Sequence, residues 1–157
     1  METGIRGVIP EYLLSNFIKR EDMEVKKLWF ENDRIFILTT EGKTLWQSLL
    51  WYPRLLHASD SQREKYSIDA MGIRWEELDE DISIESFEYS DPEPRGVARL
   101  FREHPELNVS AIARSLGIQQ SLLAAYISGT KTPSQEREKL IIDYVRQLGE
   151  ELVAFSA

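Results

Sequence analysis

The sequence predicts an α+β domain followed by an all-α domain, and three observations carry that prediction. All four tryptophans and most of the alternating β-branched and aromatic residues precede residue 90, whereas helical periodicity is almost continuous after residue 95. Between them, Tyr89-Ser-Asp-Pro-Glu-Pro-Arg-Gly96 holds two prolines, a glycine and no apolar run, which reads as a linker. Charge divides at the same place. Residues 1–93 carry 11 Lys/Arg against 20 Asp/Glu, a net of −9, and residues 94–157 carry 8 against 7, a net of +1. The expected domains are therefore an acidic α+β unit over 1–90, with a small antiparallel sheet and helices, and a helical unit over 95–157.

Composition narrows the chemistry. The chain has 157 residues, 42% apolar and 29% charged, the balance of an ordinary globular protein. Cysteine is absent, which excludes disulfides, thiolate metal sites and cysteine nucleophiles. A zinc site or a serine hydrolase would have to use His57 or His104. No run reaches the roughly 18 apolar residues of a membrane span. Pro10, Glu11, Lys19 and Arg20 interrupt any signal-peptide core, so a cytoplasmic location is expected.

The elements follow in order. Tyr12, Leu13, Phe17 and Ile18 fall near one face of a short helix over Pro10–Ile18. Residues 23–30, 34–40 and 43–46 read as a three-stranded meander turned at Asn32-Asp33 and Glu41-Gly42. Gln47–Leu56 is apolar and interrupted by Pro53. Ser59-Asp60-Ser61 predicts the cap of a helix over about 62–70. Gly72–Trp75 and the alternating Asp81–Phe87 read as further strands.

Trp46, Leu49, Leu50, Pro53, Leu55, Ala58, Arg63, Tyr66, Gly72, Ile73, Trp75 and Leu78-Asp-Glu-Asp-Ile82 resemble domain-of-unknown-function family 2442, a family of small bacterial domains. The resemblance covers about residues 23–88. It implies no established catalytic activity and transfers no functional residue; some members sit beside a small toxin-like protein, which implies an antitoxin-like role. The acidic cluster Glu76, Glu77, Asp79, Glu80 and Asp81 lacks the calcium-loop pattern. It reads as a solvated loop tied to Arg63 or Arg74, or as a surface for a basic protein. Glu41-Gly-Lys-Thr44 and Gly129-Thr-Lys-Thr132 end like phosphate loops but lack the upstream glycine, so both read as turns. His57 reads as a structural histidine at a helix entrance. No catalytic residue, metal or cofactor is expected.

In the second half, Val97, Leu100 and Phe101 share a helix face, ended by His104-Pro105. Asn108 caps the next helix, with Val109, Ile112, Ala113 and Leu116 inward. Gln119–Ser128 buries Leu122, Leu123, Tyr126 and Ile127 and stops at Gly129. Thr132, Pro133 and Gln135 read as cap, first position and capping partner of a last helix, carrying Leu140, Ile141, Tyr144, Val145, Leu148 and Leu152. Ala113, Gly117 and Leu123 have the A-x3-G-x5-L spacing of a helix-turn-helix: small at a close crossing, glycine in the tight turn, leucine inward.

Ile112–Ile118 through Tyr126–Ser134 resembles the phage-repressor-like helix-turn-helix family (lambda/434 repressor and Cro type) over about residues 95–150. The resemblance implies double-stranded DNA binding. By position it makes Gln119, Gln120, Ser121, Ala124, Ala125 and Ser128 base-reading residues, and Asn108, Arg114, Thr130 and Lys131 phosphate contacts. Glutamine suits adenine N6/N7 and alanine the thymine methyl. No Arg or Lys lies between Gln119 and Ser128, and the unit is only +1. The expected function is a DNA-binding transcriptional regulator acting as a homodimer with no enzymatic activity; the alternative is an antitoxin-like protein whose first domain binds a small protein.

Overall fold

Asn32 and Asp33 both adopt positive φ, 49° and 55°. A two-residue turn of this kind matches the right-handed twist of its flanking strands. It closes β1 (Val25–Glu31) onto β2 (Arg34–Thr39) with Glu31 opposite Arg34. A computed structural model describes residues 23–157, so the expected helix over Pro10–Ile18 lies outside the described residues. A turn through Gly42 returns the chain into β3 (Thr44–Ser48), giving a sheet of order β1-β2-β3.

The two faces of this sheet differ as strand periodicity requires. Ile35 and Ile37 are fully buried on one face. On the other, Trp29, Phe36 and Trp46 form a cross-strand row, with ring centroids 5.4 and 6.5 Å apart. Lys27 lies over Trp29 at 5.2 Å and Arg34 over Trp46 at 4.3 Å. Such cross-strand and cation–π contacts each contribute a few tenths to about 1 kcal/mol.

After a single 3-10 turn (Leu49–Trp51) come two one-turn helices, α1 (Pro53–Leu56) and α2 (Asp60–Arg63). His57 is exposed and sits at the exit of α1, not at a helix entrance as expected. Ser59 caps α2 as predicted: its Oγ accepts from Gln62 N at 3.2 Å, and its own N–H donates to Gln62 Oε1 at 3.0 Å. The helix expected over 62–70 nevertheless stops at Arg63. Ser67–Ile68 instead forms β4 and pairs with β5 (Ile73–Trp75), while the Tyr66 ring packs against Trp75. β6 (Glu80–Ile82) completes a second antiparallel sheet, β4-β5-β6.

The strand expected over 81–87 is shorter than predicted. Ser86 N and Oγ both donate to the Ser83 carbonyl, turning the chain into α3 (Ser86–Tyr89). Gly72 has no room for a side chain, because a Cβ there would lie 2.4 Å from the Ile82 carbonyl oxygen. The core of this unit gathers Ile35, Ile37, Leu49, Leu55, Ile73, Trp75, Ile82 and Phe87. Its buried polar groups are satisfied: Trp75 Nε1 donates to Arg63 O at 2.9 Å, and Gln47 Nε2 to Ser86 Oγ at 2.9 Å.

The chain divides into two compact units between Pro92 and Glu93. The second unit contains α4 (Gly96–Glu103), α5 (Val109–Leu116), α6 (Gln120–Ser128) and α7 (Gln135–Ala154). Val97, Phe101, Ile112, Ala113, Ile118, Leu123, Tyr126 and Ile141 form its core. The cap of α7 is Ser134, whose Oγ accepts from Arg137 N at 3.1 Å, and not Thr132 as expected. Leu140 and Leu152, expected inward, are 49% and 67% exposed. Leu152 is exposed because of length: twenty residues span about 30 Å, whereas α4 to α6, at eight or nine residues, span about 12–14 Å. Leu140, next to the fully buried Ile141, is turned about 100° away from it around the helix. The observed fold class is thus α+β followed by all-α, the class the sequence predicts.

Candidate nucleic-acid interface

Three local devices hold the exposed face of α6. The first is the start of α5, where Asn108 Oδ1 accepts from Ala111 N at 3.1 Å and from Ser110 Oγ at 3.0 Å. The second is the turn. Gly117 adopts φ 65°, a left-handed conformation that costs other residues about 1–2 kcal/mol. Its N–H donates to Arg114 O at 3.2 Å, and Ile118 N donates to Ala113 O at 2.9 Å. This pair of bonds is a Schellman closure, which satisfies the last carbonyls of α5 and fixes the direction in which the chain leaves. Ala113 and Ile118 are buried beside it. The third is the inward side of α6 itself, where Leu123 is fully buried and Tyr126 nearly so.

The far end of α6 is held from outside. Gly129 ends the helix at φ 83°. Arg102, from α4, donates Nε to Ile127 O at 3.0 Å. Lys131 N and Thr130 Oγ1 donate to Ala125 O at 3.2 and 3.3 Å. A cation at this end also complements the helix dipole. Arg102 was not among the sequence candidates. Its signal was available, a basic residue in the last turn of α4, but its partner lies 25 residues away.

With the helix fixed at both ends, the outward residues follow from its period. Gln120, Ser121, Ala124 and Ser128 are exposed and Ala125 is half-buried. Gln119 precedes the first turn, is exposed, and caps through its carbonyl, which accepts from Leu122 N at 3.0 Å. Asn108, Arg114, Thr130 and Lys131 are all exposed. The Asn108 side chain is engaged as a cap, and the Thr130 hydroxyl on Ala125 O and Ser128 Oγ. Arg114 and Lys131 have no ion-pair partner among the described residues. Arg137 in α7 has none either, whereas Arg99 is paired with Glu103 at 2.7 Å, and Lys139 and Arg146 with Asp143. The hydrogen bond from Lys139 holds the Asp143 carboxyl below its usual range.

The acidic loop of the first unit behaves differently. Arg74 reaches Glu76 at 3.2 Å, Asp79 at 2.9 Å and Asp81 at 2.7 Å. Arg54 also contacts Asp79 at 3.5 Å, and Lys65 contacts Glu77 at 3.6 Å. Arg63, the other cation considered for this loop, instead donates to the Leu55 and Leu56 carbonyls, each at 2.9 Å. Among the described residues, no group of three or more acidic or histidine side chains is placed to hold a metal ion. No described helix is long and apolar enough to cross a membrane.

These features define a class: a small α+β unit followed by a helical unit that presents one helix face outward. Residues 25–93 match the family described as "Protein of unknown function (DUF2442)". No curated protein matches the chain. Among solved structures, the chain is similar to one from Nitrosomonas europaea described as "Putative DNA Binding Protein NE0471". The identity is 11%, over 76% of this chain and 84% of that one, with a TM-score of 0.29.

Proposed function

We propose that the second unit is a helix-turn-helix that reads operator DNA as a homodimer, and that the protein is a non-enzymatic transcriptional regulator of the phage-repressor-like kind. The observation that carries the reading is the outward side of α6. A turn locked at Gly117 projects a helix whose inward residues are Leu123 and Tyr126 and whose outward residues are two glutamines, two serines and an alanine. That set fits a major groove, where glutamine pairs with adenine and alanine meets a thymine methyl. Arg114 and Lys131, whose side chains have no ion-pair partner among the described residues, supply phosphate contacts. A homodimer follows from the reading, since recognition helices of this type engage half-sites one helical turn apart.

The test is selection from a random duplex library at low salt, followed by binding of the enriched sequence. Replacing Gln119 and Gln120 by alanine is expected to cost about 1–3 kcal/mol per lost base contact and to leave binding to random DNA unchanged. If no sequence is enriched, or if the variant loses random DNA equally, the reading fails. A second reading, an antitoxin-like module, draws on the first unit. Its excess of 9 negative charges over residues 1–93 suits a basic protein partner.

A further inference from the structure

Beside the edge strand β1, the first unit has a cleft of about 420 Å³. Its walls include Trp29, Phe30 and Tyr66, and Asp60 and Glu64 also line it. Neither carboxylate has an ion-pair partner among the described residues, in contrast to Glu76, Asp79 and Asp81, which all reach Arg74. Asp60 and Glu64 stand four positions apart around one helical turn, a spacing at which two like charges repel. A cation between them would relieve that repulsion.

Among the described residues, the one cation in the lining, Arg63, is already engaged. Its Nε and Nη2 donate to the Leu55 and Leu56 carbonyls, and Asp33 lies 3.9 Å away. Its guanidinium lies 5.4 Å from the centroid of the Phe30 ring, so this aromatic surface already accommodates one guanidinium. Trp29 is stacked on Phe36 and Phe30 lies under Arg63, which leaves Tyr66, 36% exposed, as the ring beside the two carboxylates for a second one: aromatic surface for its plane, and oxygens for its N–H groups.

We propose that this cleft receives an arginine or lysine side chain from a basic protein partner. The proposal rests on the reading that the first unit binds a protein, and is independent of DNA recognition by the second. It places the contact at Asp60 and Glu64, away from the more conspicuous acidic loop.

The experiment titrates the full chain with a synthetic decapeptide of alternating glycine and arginine, following the Trp29 indole resonance by NMR. A saturable shift is expected, and a citrulline version of the peptide should produce none. Asp60→Asn with Glu64→Gln should weaken binding roughly tenfold or more, while Asp79→Asn with Asp81→Asn should leave it nearly unchanged. Thermal melts of both variants report whether the fold is intact. Binding lost only in the Asp79/Asp81 variant would sink the cleft and leave the partner reading standing. No binding to the native chain overturns both.

Discussion

The cations beside the acidic loop of the first unit and those flanking α6 in the second are used in opposite ways. In the first, Arg74 serves three carboxylates, Arg54 and Lys65 reach the same loop, and Arg63 holds backbone carbonyls. In the second, Arg114 and Lys131 flank the exposed helix without an ion-pair partner among the described residues, although the whole unit is only +1. The difference teaches that a unit's net charge is a poor guide to its partner. What a phosphate or a carboxylate meets is the set of charges not already neutralised nearby. The first unit, by the same reasoning, offers Asp60 and Glu64 rather than its densest acidic loop.

The largest effect that would separate the units comes from Trp75→Ala. Trp75 is fully buried and its N–H is bonded to Arg63 O, so the change should cost about 3–5 kcal/mol. All four tryptophans lie in the first unit, so their fluorescence in a denaturant titration reports that unit alone. A loss under 1 kcal/mol would mean that the core around Trp75 is not as described.

Gly117 gives the next largest effect, and it concerns conformation rather than space. Nothing lies within 4 Å of the position a Cβ would take, yet φ is 65°. Gly117→Val should therefore destabilise the second unit by about 1–2 kcal/mol or more, and Gly117→Asn by clearly less, because asparagine tolerates this region. Far-UV circular dichroism melts measure both. Equal losses would point to crowding and contradict the geometry.

A smaller effect tests the free cations directly. Arg114→Gln and Lys131→Gln should each reduce the dependence of log affinity on log salt by about 1, uniformly across DNA sequences. Arg99→Gln, whose native side chain is paired with Glu103, should change that slope little. If all three variants behave alike, the contrast between paired and free cations carries no information about DNA.

Much of the fold was legible because its signals are local. Alternation and the Asn32-Asp33 turn predict the first meander, and Asn108, Gly117 and Gly129 bound α5 and α6. Errors arose where a distant partner decides. Tyr66 to Ile68 leave the helical path because Trp75 and Arg74 lie alongside. The misplaced cap of α7 is a local error: Ser134, two residues after Thr132, takes the cap because the Arg137 and Glu138 backbone N–H groups donate to its hydroxyl and carbonyl. At the candidate interface, periodicity indicates which side of α6 faces out, but not that Arg102 reaches it from α4. The cleft joins β1 to residues 60–66 and left no mark in the sequence, since only folding brings Trp29 and Glu64 to one wall.

The smallest effect lies within the acidic loop, where neighbouring carboxylates are pushed in opposite directions. The hydrogen bond and charge of Arg74 hold the Asp79 carboxyl below its ordinary range. Burial pushes the Glu80 carboxyl up. A depressed pKa means that stability from Asp79 is present above its unfolded value, near 3.9, and fades as pH falls through the folded value. A raised pKa means the reverse: charging Glu80 opposes folding, and its protonation on acidification relieves that. The two contributions offset, so the first unit should lose stability to acid less steeply than its excess of carboxylates suggests. Arg74→Gln should uncover the asymmetry. Carboxylate carbon NMR should show Asp79 returning toward its ordinary value while Glu80 stays high. If both move together, one shared field rather than two separate causes sets the loop's charge.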